Sequence, residues 1–139
     1  MKKILFVCAE NANRSQIAEA FFNLYAQKEK INFIAESAGT FPGSKINPNT
    51  LEVMEEIDIS LSEKHPKKFL PEDIGKYEEI ISFGCLAKNT FEQSIQDKIV
   101  QWKIDDTSRE DIDQIRKTRD MIEKKIVQLI EELRKQEVC

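Results

Sequence analysis

No stretch of this chain approaches the roughly 20 consecutive apolar residues that cross a bilayer, which excludes a helical membrane span. The opening Met1-Lys2-Lys3-Ile4-Leu5 turns polar by Glu10, too early for the apolar core of a signal peptide, so a cytoplasmic protein is expected. Basic stripes are missing as well: the net charge is −4, and without clustered Lys and Arg a nucleic-acid partner is not expected. Cysteine is scarce. Cys8, Cys85 and Cys139 are too few and too far apart for a disulfide framework or a zinc site, which needs closely paired ligands. Redox-active thiols in a reducing compartment fit that usage better. Repeats, low-complexity tracts and linkers are lacking too, so the 139 residues read as one domain, 1–139, able to bury a core without staples.

What the chain does have is a regular alternation of element types. Strand-like runs occur at Lys3–Val7, Asn32–Ser37, Glu79–Phe83 and Val100–Ile104. Between them lie helix-like stretches at Ser15–Gln27, Pro48–Ile57, a short piece near Pro71–Ile74, a candidate at Ala87–Ile95, and a long helix from about Asp111. Such alternation predicts parallel strands joined by crossover helices, with ligands bound at the carboxyl ends of the strands. The last helix places Ile112, Ile115, Ile122, Ile126, Leu129 and Leu133 on one face, and its charged residues form a solvated one.

One of those carboxyl ends is chemically loaded. Cys8 directly follows the first strand-like run, and Arg14 stands six positions later, directly before the first helix-like stretch, across Ala9, Glu10, Asn11, Ala12 and Asn13. A loop that caps a helix N-terminus turns its backbone N–H groups toward a bound anion, and the helix dipole favours negative charge there. That field also supports a thiolate nucleophile at Cys8. Arg14, with its planar fork of donors, can grip two oxygens of a tetrahedral anion above the sulfur. Ser15, in the first helical turn, can cap a free N–H or hydrogen-bond the thiolate, and Asn11 suits a left-handed turn in mid-loop. The loop 39–44, with Pro42 and Gly43, followed by Asn47-Pro48, is a candidate wall for the same pocket.

Taken together with Ser37-Ala38-Gly39, Asn47-Pro48, Asp58-Ile59-Ser60, the strand ending in Cys85, and Trp102 before Asp105-Asp106, these residues resemble the low-molecular-weight tyrosine phosphatase superfamily, in its thioredoxin-coupled arsenate reductase branch. The resemblance implies a three-layer α/β sandwich: a four-stranded parallel sheet with helices on both faces and an arsenate or phosphate pocket at the Cys8 loop. It implies Cys8 as nucleophile, Arg14 as oxyanion clamp, Ser15 as thiolate partner and Asp106 as acid, with Asp105 as second choice. Cys85 is implied as the resolving thiol that forms a Cys8–Cys85 disulfide as arsenite leaves. The bland alternatives are an acidic pair that only turns the chain and an inert thiol at a strand end.

Three departures qualify the resemblance. Phosphatases of the family follow the aspartate with proline and a tyrosine pair, whereas Asp106 precedes Thr107-Ser108-Arg109. Thioredoxin-coupled reductases carry a third cysteine a few residues after the second, and positions 86 to 93 hold none. Cys139 is a poor substitute, because the final helix carries the chain away from the catalytic edge. A thioredoxin-like protein, or a small thiol such as glutathione or mycothiol, would then attack the Cys8–Cys85 bond directly. Some relatives bind potassium beside the loop or replace it with lysine; Asn11, Glu19 and Ser37 match that network, and Lys67 or Lys68 would supply the cation. His65 reads as a surface turn residue and Trp102 as core or pocket wall. A monomer without tightly bound cofactor or metal is expected. The activities in contention are arsenate reduction, hydrolysis of phosphotyrosine or small aryl phosphoesters, and non-catalytic oxyanion binding or redox sensing.

Overall fold

The computed structural model describes residues 1–87, 89 and 91–137. Four strands form one parallel sheet: β1 (Lys2–Cys8), β2 (Phe33–Gly39), β3 (Glu79–Ser82) and β4 (Ile99–Gln101), in the order β2-β1-β3-β4. Among the described residues four α-helices accompany them: α1 (Arg14–Lys28), α2 (Pro48–Glu55), α3 (Gln93–Gln96) and α4 (Ile112–Glu137), with a 3-10 helix at Pro71–Lys76. This is the expected sheet, with parallel partners throughout.

β1 is central, and its unbroken apolar run follows from burial on both faces. Ile4, Phe6 and Cys8 point to the layer of α1, α2 and α4, where they meet Ile17, Phe21, Met54, Ile122 and Ile126. Leu5 and Val7 point to the opposite layer, with Ile74, Tyr77, Leu86 and Ile99. This alternation of side chains, with a period of two, sends the Cys8 thiol toward α1. Since β2 lies on one side of β1 and β3 on the other, the crevice beyond the carboxyl ends opens beside Cys8. Val7 pairs with Ser82, so Cys8 and Cys85 leave neighbouring strands at the same edge.

α4 is capped by Asp111, whose side chain accepts from the Gln114 N–H at 3.0 Å. Its 26 residues span about 39 Å at 1.5 Å each, away from the catalytic edge. At the far end Glu137 accepts from the Asn32 N–H, just before β2 begins, so the helix has crossed the full height of the sheet. Cys139 lies outside the described residues.

Most boundaries shift from the sequence expectation by one or two residues, and two differ by more. Of the candidate helix over Ala87–Ile95, Lys88 and Thr90 lie outside the described residues; among the described ones the α-helix here is Gln93–Gln96, its first turn starting at Glu92, whose carbonyl accepts from the Ile95 and Gln96 N–H groups. β4 ends at Gln101, not Ile104, since the Ile104 carbonyl is used by Arg14 and not by a neighbouring strand. Among the described residues no helix is long and apolar enough to cross a membrane.

Candidate active site

The Cys8–Arg14 loop is held from outside by its carbonyls. Those of Cys8, Ala9, Glu10 and Ala12 accept from the N–H groups of Thr40, Phe41, Gly43 and Asn47, at 2.8 to 3.2 Å. Among the described residues the N–H groups of Ala9, Glu10, Ala12 and Asn13 have no backbone acceptor, which leaves them for an anion. The loop 39–47 is therefore a backing brace and not the expected wall: the pocket over the sulfur is lined by Cys8, Glu10, Ala12, Asn13, Arg14, Asp106 and Ser108.

The brace needs Gly39. A Cβ there would lie 2.7 Å from the Ala9 carbonyl oxygen and 2.8 Å from the Asn11 nitrogen, both main-chain atoms that cannot swing aside. Gly39→Ala is expected to destabilise the fold by about 1–3 kcal/mol and to displace the loop, lowering oxyanion affinity; denaturant midpoints and phosphate titration read the two effects.

Asn11 is the keystone of the loop interior. Its φ of 53° is the left-handed conformation that asparagine tolerates. Its Nδ2 donates to Ser15 Oγ at 2.6 Å, and its Oδ1 accepts from Gln16 Nε2 at 3.0 Å and from the Lys67 N–H at 2.9 Å. Because Ser15 Oγ accepts from Asn11, the serine proton is free for the Cys8 sulfur, 2.8 Å away. The Asn11 N–H also reaches that sulfur, at 3.2 Å. Two donors thus converge on the Cys8 sulfur.

Arg14 is buried, and its Nη1 donates to the Phe83 carbonyl at 3.0 Å and the Ile104 carbonyl at 2.8 Å. One nitrogen is anchored to the segments after β3 and β4, so the others of the fork remain for oxygens above Cys8. The Phe83 ring lies under the guanidinium, and Trp102 packs edge-on against Phe83, so Trp102 is both core and indirect support for Arg14.

Cys85 follows a tight turn in which Ser82 Oγ accepts from the Gly84 and Leu86 N–H groups, with Gly84 at φ 89°. Its thiol donates to the Val7 carbonyl at 3.3 Å, one residue before Cys8 in the chain. Burial, more than any other influence, pushes the Cys85 thiol above its ordinary value, and the nearby Cys8 adds to this. Both thiols are free. They approach β1 from opposite layers, so Cys85 must leave Val7 before it can reach the Cys8 sulfur.

Of the two aspartates, Asp106 lines the pocket with Cys8, while Asp105 sits in the neighbouring hollow with Trp102 and Gln101. Burial pushes the Asp106 carboxyl up, but bonds from Ser108 and the charges of Arg14 and Arg109 outweigh it and hold it below the usual value. The Ser108 N–H donates to Asp106 Oδ1 at 3.0 Å, so the aspartate also shapes its own turn.

The expected cation beside Glu19 is supplied by a different lysine. Lys64 Nζ lies 3.2 Å from Glu19 Oε2, and Ser37 Oγ donates to Glu19 Oε1. Lys67 meets the loop through its main-chain N–H, and its ammonium turns to the His65 carbonyl; the Lys68 side chain is exposed. A turn after Leu61, closed by the Lys64 N–H on the Leu61 carbonyl at 3.0 Å, brings Lys64 to Glu19 of α1, a path that the sequence did not display. Thr50 was also missed: its hydroxyl donates to Asn13 Oδ1 at 2.8 Å from inside α2, where threonine reads as a neutral helical residue.

The family model for low molecular weight phosphotyrosine protein phosphatase matches residues 3–138. A putative arsenate reductase of Halobacterium salinarum is 28% identical over 132 residues, covering 94% of this chain and 92% of its own length. The glutaredoxin arsenate reductase of a Synechocystis strain is 28% identical over 131 residues, 94% of this chain and 97% of its own. Among solved structures, an arginine phosphatase mutant with a phosphorylated active-site serine superimposes with a TM-score of 0.85 at 26% identity, over 96% of each chain. A cysteine loop braced by its carbonyls, a parallel four-stranded sheet and these likenesses agree: the chain belongs to the low molecular weight phosphotyrosine protein phosphatase family and has its fold.

Proposed function

We propose that the protein reduces arsenate to arsenite in the cytoplasm, working as a single catalytic domain. The observation that carries this reading is the second thiol at the catalytic edge, Cys85, bonded to the main chain next to Cys8; a phosphatase has no use for it. The curated relatives named for arsenate reduction support the same choice.

The reaction balances as follows. The Cys8 thiolate attacks arsenic(V), an As–O bond breaks, and Asp106 protonates the oxygen that leaves as water. Arg14 and the loop N–H groups hold the remaining oxygens of the Cys8–arsenate adduct. Cys85, as thiolate, then attacks Cys8 Sγ. The S–As bond breaks with its electron pair left on arsenic, which departs as arsenite, and a Cys8–Cys85 disulfide forms. An external dithiol or thiol, a thioredoxin-like protein or a small thiol, reduces that disulfide.

The two titrations pull in opposite directions. Asp106 donates only while protonated, and its carboxyl is held below the usual carboxylate value, so the loss of adduct formation with rising pH begins in acid, below the ordinary carboxylate range. Cys85 attacks only as thiolate, and its pKa is raised, so arsenite release should keep accelerating with pH beyond the range in which a free thiol has already ionised. Rapid-quench measurement of arsenite against pH, after preloading with arsenate, checks this; a release rate flat from neutral to alkaline pH contradicts it.

A second reading, phosphate monoester or phosphoarginine hydrolysis through a phosphocysteine, is favoured by Asp106 in the pocket and by the likeness to the arginine phosphatase. Parallel assays decide between them: arsenite formation with a thiol reductant, against phosphate release from an aryl phosphate and from phosphoarginine. A third, a binding or sensing module, would bind phosphate saturably and turn over neither.

A further inference from the structure

Asn13 occupies the position before α1 where asparagine ordinarily caps a helix, yet its side chain makes no capping bond. Its Oδ1 instead accepts from the Thr50 hydroxyl at 2.8 Å, which turns the amide so that Nδ2 points away from α2. Both residues are buried, Asn13 at 3% and Thr50 at 0% exposure. Nδ2 has no hydrogen-bond partner among the described residues. A buried amide donor without an acceptor is costly, and in native folds such a group marks a place where something else binds. Here that place is defined: Asn13 lines the same pocket as Cys8 and Arg14.

We propose that the Asn13 side-chain amide is an additional oxyanion donor, contacting the bound anion through Nδ2 alongside the loop main chain and Arg14. The inference rests on the oxyanion-cradle reading of the loop and holds equally for arsenate or a phosphoester. Nδ2 is buried and the free pocket is small, about 10 Å³, so under this proposal the loop adjusts as the anion enters and brings Nδ2 to the pocket surface. Thr50 is the positioning residue, since its hydroxyl holds the Oδ1 end of the amide and leaves the Nδ2 end without a protein partner among the described residues. A neutral donor at this point favours an anionic oxygen over a leaving oxygen that has already gained its proton, and so favours the adduct over the departing group.

The test is binding of inorganic phosphate by calorimetry to the full chain and to Asn13→Ala, Asn13→Asp and Thr50→Val, with thermal unfolding recorded for each. Asn13→Asp keeps the acceptor for Thr50 but presents a carboxylate oxygen to the anion. It should weaken phosphate about 10²-fold or more, against about tenfold for Asn13→Ala and a smaller loss for Thr50→Val. NMR supplies a readout that a merely structural asparagine would not move: one Asn13 side-chain amide proton should shift downfield on phosphate addition. Unchanged phosphate affinity in Asn13→Ala, or a side-chain amide that stays still while the loop main-chain resonances move, overturns the proposal alone. A parent protein that binds no phosphate overturns the cradle reading and the proposal together. Should Asn13→Asp fail to fold, the amide shift in the unmodified protein still decides.

Discussion

Cys85→Ser should lose arsenite formation by about 10²-fold or more with every reductant, while leaving phosphate affinity within a factor of about two. Serine fits the space and keeps a donor for the Val7 carbonyl, so the turn held by Ser82 is preserved. What it cannot do is form a disulfide, so the Cys8–arsenate adduct has no internal route to arsenic(III). Cys85 does not line the pocket above Cys8, which is why binding survives. Cys8→Ser, in contrast, should abolish reduction and any phosphatase turnover together. Intact arsenite formation in Cys85→Ser would mean that an external thiol attacks the adduct directly, and the internal relay would be wrong.

Arg14→Lys should cost about 10²–10³-fold in kcat/KM in either activity, despite retaining the positive charge. The guanidinium does two things that an ammonium cannot do at once. One nitrogen is committed to the Phe83 and Ile104 carbonyls, and the remaining fork offers parallel donors to the anion. A lysine in this buried place would leave a carbonyl unpaired or abandon the anion. Because Phe83 stands two residues before Cys85, the same change should also disturb the turn that presents this thiol, so on the proposed relay arsenite release should fall more than phosphate affinity does. Comparing single-turnover release with phosphate titration separates the two losses; equal losses would mean that Arg14 acts on binding alone.

The sheet was legible because its signal is local and redundant. Ile4 to Val7 is buried on both sides, and a continuous apolar run in a central parallel strand announces that directly. The Cys8 loop was legible for a similar reason, since strand, loop and helix N-terminus lie in one stretch of chain. The residues that hold this loop were not. Lys64 reaches Glu19 across a non-helical segment whose path no periodicity encodes, so the expectation fell on Lys67 and Lys68. Thr50 meets Asn13 from another helix, 37 positions away, and the Phe83 and Ile104 carbonyls carry no side-chain signature at all. Contacts made by main-chain atoms, or across loops, depend on the assembled fold and not on residue type. The short α3 belongs to the same class: the helical period around residues 87–95 is weak, and the bonds to Glu92 set where the turn begins.

The central claim is that two electrons pass from a thiol pair within this chain to arsenic. It is tested most directly by mixing reduced protein with excess arsenate and no reductant, quantifying arsenite, and mapping the thiols by mass spectrometry. The account predicts one equivalent of arsenite per chain and a peptide pair joined through Cys8 and Cys85. Absence of arsenite with both thiols still free, or arsenite accompanied by a disulfide that leaves out Cys85, would contradict it.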